Sequence, residues 1–526
     1  MWKRPVFDDA NLRRCDKRKM MTNRTIAVAL GILLGLFLNS AKATHGEPGL
    51  QVLEAGNPDP KPNVVLILCD DLGIGDVQCF NPDNGKIKTP FIDQLAREGM
   101  SFTDAHSGSS VCTPTRYGLL TGRYAWRTKL QKGVAQGFGS CLIAPDRPTM
   151  GNFFKDNGYR TALFGKWHLN MKFMDPNDPK VELNGKKFKF TPPVNSTSPD
   201  GPIARGFDEF FGIHHARSMK AIIEQDTVVR HEAVIDFLPS LETKAVEFIE
   251  AQTKSDQPFF LFLPLGSPHT PIVPTKQWQG ASGLGAYADF VMQTDHVIGS
   301  VLKQLQDSGL ADNTIVIFSS DNGCSRQAKI GKLAKQGHIV SAGFRGSKAD
   351  IWDGGHRVPL VVRWPGVVEA DSDCDQLVGL TDIFATVADC LGVKPPAKSC
   401  EDSFSFLAAM KGETLESERD GIIHHSISGH FAYRTTEWKL VLARGSGGWS
   451  APNEKKSKDQ PEAQLYDMRS TPDESSNVYQ SRPDVAAKLL GLLERDVANG
   501  RTTVGENSPN DTNHIKLWKS GRDVEK

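Results

Sequence analysis

Short runs of consecutive apolar residues recur through the chain at 64–68, 160–164, 259–265, 314–319 and 359–364. Runs this short, apolar on both faces, predict strands covered from both sides. Between them, amphipathic patterns predict helices over 150–157, 241–251 and 287–308. A further helix opens at Thr89-Pro90, with Thr89 as N-cap, Pro90 in the first turn, and apolar Phe91, Ile92, Leu95 and Met100 interleaved with charge. Buried strands joined by helical crossovers predict an α/β fold with helices on both faces of a doubly wound sheet. In such a fold polar sites gather at the carboxyl ends of the strands.

From about residue 421 the pattern changes to shorter alternating runs at 430–435, 438–443 and 464–468, followed by a helix over 483–499. This predicts a small antiparallel sheet carrying one helix over 421–500, and the polar residues of 501–526 predict a poorly ordered tail. At the other end, the apolar run 25–38 follows Arg18, Lys19 and Arg24 and precedes Ala41-Lys42-Ala43. That arrangement predicts a signal peptide over 1–43, with Met20 or Met21 as an alternative start. The run is shorter than the ~20 residues that cross a bilayer, so no stable membrane span is expected and the destination is secreted or periplasmic. A lead-in at 44–61 and a catalytic domain at 62–420 complete the expected organisation. With 526 residues the chain is long enough for a large domain and a smaller partner.

Lys plus Arg and Asp plus Glu both number 62. Nothing in that balance favours nucleic acid as a partner, and any anion selectivity has to be local. The eight cysteines after Cys15 form no C-x-x-C pair. Cys390 and Cys400 are the nearest late pair, but no disulfide is predicted.

Two predicted strands end in polar clusters, Asp70-Asp71 and Ser319-Ser320-Asp321-Asn322-Gly323. Alone, the first reads equally as a cation site or as capping carboxylates, and the second as an Asx turn. Together they offer three carboxylates and an amide, an all-oxygen set that suits calcium or magnesium better than zinc. Cys112 precedes a helical turn with Arg116 one turn along, a place that favours negative charge. A cysteine phosphatase needs Arg six positions after its Cys, and position 118 is Gly; a zinc site needs further Cys or His nearby, and there are none.

The segment Cys112-Thr113-Pro114-Thr115-Arg116, followed by Leu119-Leu120-Thr121-Gly122-Arg123, resembles the signature of the type I formylglycine-dependent sulfatases of the alkaline phosphatase superfamily. The resemblance extends over most of 62–480, through Asp70-Asp71-Leu72-Gly73, Gly165-Lys166-Trp167-His168, Ser267-Pro268-His269, Gly346-Ser347-Lys348 and Asp353-Gly354-Gly355-His356-Arg357. It implies an alkaline phosphatase-like fold, a large mixed, mostly parallel sheet sandwiched by helices. It also implies conversion of Cys112 to formylglycine by a maturation enzyme, and one calcium ion held by Asp70, Asp71, Asp321 and Asn322 and approached by residue 112. Arg116 and His168 match the residues that hold the formylglycine hydrate, and Lys166, His269 and Lys348 those around the sulfate and the leaving oxygen. Thr113 and Thr115 are mild departures from the family pattern, as is Asp353 where relatives often carry Glu.

The implied activity is hydrolysis of sulfate esters, with a sulfated carbohydrate as the expected substrate and aryl sulfates as artificial ones. The competing readings are a phosphoester or phosphonate hydrolase of the same superfamily, and a non-catalytic binder of sulfated glycans if Cys112 stays unmodified. Segments 172–205, 214–220 and 325–344 are the expected source of substrate selectivity, with His214, His215 and Arg217 as candidates to face the substrate.

Overall fold

The computed structural model describes residues 61–185, 190–215, 217, 219–415 and 419–519, and both the expected signal peptide and the lead-in up to residue 60 lie outside them. Strand β1 (Asn63–Asp70) is buried at all eight positions because it runs through the middle of a ten-stranded sheet. The other strands, in chain order, are β2 (Met100–Phe102), β3 (Arg160–Lys166), β4 (Glu209–Ile213), β5 (Ala221–Glu224), β6 (Thr227–His231), β7 (Phe259–Pro268), β8 (Thr314–Ser320), β9 (Leu360–Arg363) and β10 (Ser372–Cys374). Across the sheet they lie in the order β10-β2-β9-β8-β1-β7-β3-β4-β5-β6. The five from β8 to β4 are mutually parallel, whereas β9, β5 and β6 pair antiparallel with their inner neighbours.

Alternation along β1 feeds two cores. Val64, Leu66 and Leu68 point to one, which also takes residues of α2 (Cys112–Thr121), α3 (Met150–Asp156) and α6 (Ile383–Cys390). Val65, Ile67 and Cys69 point to the other, built with α1 (Pro90–Arg97), α4 (Phe237–Gln252) and α5 (Ala286–Asp307). Burial on both faces explains why this strand reads as an unbroken apolar run. Helix α1 starts at Pro90 with Thr89 at the N-cap position, but the Thr89 hydroxyl does not cap it; that oxygen accepts from the Gln78 N–H at 2.9 Å.

The expected strands and helices are present. The pattern missed β2, β10 and the extension β4 to β6, because these strands are only three to five residues long and carry no long apolar run. The C-terminal part adds β11 (Ile422–His425), β12 (Phe431–Arg434), β13 (Trp438–Val441) and β14 (Gln464–Asp467), an antiparallel sheet in that order. Helix α7 (Pro483–Ala498) packs Leu489 and Leu493 into a cluster with Phe431, Tyr433, Leu440 and Leu465. Residues 501–519 differ from the expected loose tail. Asp511 pairs with buried Arg123 at 3.1 Å, Asn510 accepts from Arg127 at 3.1 Å, and Trp518 joins the same apolar cluster. A few well-placed anchors hold a polar segment that composition alone reads as solvated.

A buried polar chain laces the small sheet to the large one. Lys439 of β13 sits 2.7 Å from both Asp353 and Glu474 and 3.0 Å from His356 Nε2. His356 Nδ1 meets His106 Nδ1 at 3.0 Å, and His106 Nε2 meets Asp104 at 2.8 Å. Arg357 and Arg434 pair with the same Asp104, and His424 of β11 stacks on His356 at 3.8 Å. Burial, reinforced by Lys439 and by neighbouring imidazoles, holds His356 and His424 well below the ordinary histidine value; burial also lowers His106, although Asp104 opposes it.

The unfolded chain takes up protons on these imidazoles below about pH 6.5, where the folded chain does not. Stability is therefore present above that pH and is lost as pH falls below it. Thermal unfolding between pH 7.5 and 5.5 should show a falling Tm, and His424→Phe, which keeps the stack, should flatten that slope. An equal slope in the variant would remove His424 from the explanation.

Candidate active site

The site collects at the carboxyl ends of four adjacent parallel strands. Asp70 ends β1 and Asp71 follows it, while Asp321 and Asn322 follow β8. His269 follows β7, and Lys166 ends β3 with His168 two residues on. Alternating parallel strands and helical crossovers make these ends neighbours although Asn322 lies 251 positions from Asp71. Cys112 enters from the side as the first residue of α2, and Lys348 comes from the loop after β8. All ten residues singled out from the sequence meet here, and all are buried.

The charges interlock. Arg116 donates to Asp321 Oδ2 through Nε at 3.0 Å and Nη2 at 2.8 Å, and through Nη1 to the Lys166 carbonyl at 2.9 Å. Lys166 pairs with Asp70 Oδ2 and Lys348 with Asp71 Oδ1. Lys348 Nζ also stands 3.6 Å from Cys112 Sγ, and His269 Nε2 lies 3.6 Å from Asp71 Oδ2. Asp71 at φ 67° and His168 at φ 56° hold the left-handed backbone conformation that non-glycine residues rarely adopt. Gly165, at φ 138°, lies so close to the neighbouring strand that a Cβ would stand 2.0 Å from the Pro264 carbonyl oxygen. That contact brings the end of β3, and with it Lys166, tight against β7.

Burial pushes the Cys112 thiol up, and Lys166 and Lys348 do not reverse it. The thiol is therefore protonated at neutral pH and, as an unmodified cysteine, a poor nucleophile. Burial raises the Asp70 carboxyl, but Lys166, His269, Arg116 and Lys348 together outweigh it and hold Asp70 well below the carboxylate range. Burial and Lys166 keep His168 neutral, far below its ordinary value, and burial takes His269 to about 4 against the pull of Asp70 and Asp71.

A cation fits what is left over. Asp70 Oδ1, Asp71 Oδ2 and Asn322 Oδ1 are buried and accept no hydrogen bond, an arrangement that is costly in a protein interior. Asp70, Asp71, Cys112 and His269 also bring ligand atoms within 4.8 Å of one another. Three oxygens in one buried spot suit a hard divalent ion. Arg116, Lys166 and Lys348 balance the three carboxylates, so such an ion leaves the cluster with an excess of about two positive charges, the field an anionic ester needs.

Several supporting residues escape the sequence reading. Asp76 accepts from the Gly73 N–H at 2.8 Å, from the Tyr287 hydroxyl at 2.5 Å and from His338 at 2.8 Å, bracing the loop that carries Asp71. Tyr287 also reaches the Asp71 carbonyl at 3.2 Å. The short interval from Asp71 to Asp76 is the one sequence signal that points to this brace. Of the three candidates to face the substrate, His215 packs edge-on against His168 at 4.4 Å between ring centroids, whereas His214 packs against Phe173 and Phe190 as part of an aromatic cluster. All eight cysteines among the described residues are free, Cys390 and Cys400 included.

A family model described as Sulfatase matches residues 62–393, and one described as the C-terminal part of N-sulphoglucosamine sulphohydrolase matches 347–498. The chain is 29% identical over 483 residues to an N-acetylgalactosamine-6-O-sulfatase of Bacteroides thetaiotaomicron, covering 84% of this chain and 94% of that protein. It is 30% identical over 441 residues to the steryl-sulfatase of Rattus norvegicus, covering 72% and 75%. A solved structure described under the metabolism of multiple glycosaminoglycans by Bacteroides thetaiotaomicron aligns with a TM-score of 0.73 and 29% identity, over 83% of this chain and 99% of that one. With that match over most of its length, and with a buried cysteine, three carboxylates and three cations assembled at the strand ends, the chain belongs to the sulfatase family and is a sulfuric ester hydrolase.

Proposed function

We propose that the protein removes sulfate from a sulfated carbohydrate, using residue 112 as formylglycine and one calcium ion held by Asp70, Asp71, Asp321 and Asn322, with residue 112 approaching the ion. The observation that carries this reading is the position of Cys112. It is 2% exposed, protonated, beside Lys348, and surrounded by carboxylate and amide oxygens that lack partners. A thiol in that place has little chemistry of its own, whereas a hydrated aldehyde there meets both the cations and the oxygens. Calcium, when bound, supplies Lewis-acid polarisation of a sulfate oxygen.

Formylglycine hydrate at position 112 would supply two hydroxyls, one a nucleophile for sulfur and the other a proton whose loss would let sulfate leave with the aldehyde restored. Lys166 and Lys348 face the sulfate oxygens and stabilise the charge that grows there. His269, aided by Lys348, stands where the leaving oxygen takes up a proton, and His168, neutral and with Nδ1 unpartnered, is the base for the second hydroxyl. Arg116 holds the diol end of residue 112 and keeps Asp321 in place. Because Cys112 is sealed in the folded protein, its oxidation by a formylglycine-generating enzyme has to precede folding. The reading of 1–43 as a signal peptide makes the protein secreted or periplasmic, and no described helix is long and apolar enough to cross a membrane.

The carbohydrate assignment is supported by the similarity to the N-acetylgalactosamine-6-O-sulfatase, which extends over more of both chains than the similarity to the steryl-sulfatase. A sulfate-release screen across defined sulfated sugars tests it, with a steryl sulfate as the competing substrate. Protein produced with the maturation enzyme should carry an aldehyde at position 112 by peptide mass spectrometry; intact thiol in active protein would sink the mechanism. Cys112→Ala and Cys112→Ser should both lose essentially all turnover. Lys348→Ala should fold and lose about 10²- to 10³-fold in kcat/KM. Millimolar calcium should raise Tm, the stability gained being about 2.7 kcal/mol at a hundredfold excess over Kd, and EDTA should reverse it. Asp321→Asn should lose that response, and a shift of the same size in the variant would place the ion elsewhere.

A further inference from the structure

A chain of zero net charge has a strongly basic stretch beside its active site. Residues 325–345 contain Arg326, Lys329, Lys332, Lys335 and Arg345 and no acidic residue, and residues 270–288, after His269, contain Lys276 and again no acid. The two stretches face each other across a groove of about 240 Å³, lined on one side by Ile272 and Leu284 and on the other by Lys329 and Lys332. Tyr287 also lines the groove while its hydroxyl touches the Asp71 carbonyl, and Arg326 lies four residues beyond Asn322. The groove therefore adjoins the two loops that carry the site's oxygens.

Arg326 is exposed and stacks over the half-buried Trp449 ring at 4.6 Å. Trp449 is not loosely hung. Its N–H and that of Ser450 donate to Asp350 Oδ1 at 2.7 and 2.9 Å, and the other oxygen of Asp350 accepts from the Ser347 N–H at 2.9 Å. Lys348 lies inside that turn, so Trp449 is fixed to the loop that delivers Lys348 to Cys112.

Resting on the carbohydrate sulfatase reading, we propose that this basic groove and the Arg326–Trp449 pair form subsites for acidic sugar units next to the one that loses its sulfate. The enzyme is thereby selective for oligomers of an anionic glycan over single sulfated sugars. Arg326, held over the Trp449 indole, and Lys329 and Lys332 offer hydrogen-bonding cations to carboxylate or sulfate groups on neighbouring units. Exposed cations in a low-acid surround act at a distance set by ionic strength, so they speed capture of a polyanion more than they hold a monosaccharide.

The test uses the matured, calcium-loaded enzyme and three substrates bearing the same sulfated sugar: the monosaccharide, an oligosaccharide with neutral neighbours, and one of equal length with acidic neighbours. The combined variant Arg326→Ala, Lys329→Ala, Lys332→Ala should lose about tenfold in kcat/KM on the acidic oligosaccharide, mostly through KM, and change little on the other two. Trp449→Ala, which removes the ring that holds Arg326, should weaken the acidic oligosaccharide and leave the neutral one and the monosaccharide little changed. Added salt should slow the wild type on the acidic substrate and affect the triple variant less. Equal losses on all three substrates, or no loss on the acidic one, overturn the proposal while leaving the sulfatase reading intact. A matured wild type that releases sulfate from none of the three overturns the carbohydrate reading itself.

Discussion

Three carboxylates, Asp70, Asp71 and Asp321, are buried within one cluster at the ends of two adjacent strands, and their mutual repulsion is the constraint around which the rest of the molecule is arranged. Each is met by its own cation, Lys166, Lys348 or Arg116, and each cation arrives on a different element. Removing any one leaves an uncompensated charge in the interior, a loss of about 3 to 5 kcal/mol. The arrangement stabilises the fold poorly for its size, since apolar residues of equal volume would serve as well. Its use lies in holding charge ready where water is excluded.

The parallel sheet makes this possible. Strands β8, β1, β7 and β3 run side by side in one direction, so their carboxyl ends open on one edge and the polar residues that follow them converge there without further folding of loops. Two apolar cores fix the strands from both faces, and the close approach at Gly165 tightens β3 against β7. Cys112 and Arg116 come instead from α2 and Lys348 from a loop, whose position depends on Asp350 and on the backbone of Trp449 and Ser450 in the C-terminal part. The small sheet is thus joined to the site through this turn, and to the rest of the large domain through the histidine and lysine chain at the seam.

The buried oxygens without partners and the protonated thiol point the same way. Asp70 Oδ1, Asp71 Oδ2 and Asn322 Oδ1 accept no hydrogen bond, which suits a cation, and burial keeps the Cys112 thiol protonated and so a poor nucleophile as it stands. Both observations are independent of sequence similarity, and both agree with membership of the sulfatase family.

What the sequence determined by itself was local. Continuous apolar runs marked β1, β3, β7, β8 and β9 because strands buried on both faces admit few polar residues, and the Cys112 to Arg123 segment marked the site through its resemblance to the sulfatase signature, which is written in consecutive positions. Strands β4 to β6 were not legible, since runs of four or five residues leave little pattern, whether parallel as in β4 or antiparallel as in β5 and β6. Tertiary structure alone decided which cation meets which carboxylate and that Asp76, Tyr287 and His338 brace the Asp71 loop. It also ordered the polar segment 501–519 and set Arg326 and Trp449 beside the site. These are contacts between residues tens to hundreds of positions apart, and their energy depends on distance and desolvation, neither of which exists until the chain has folded.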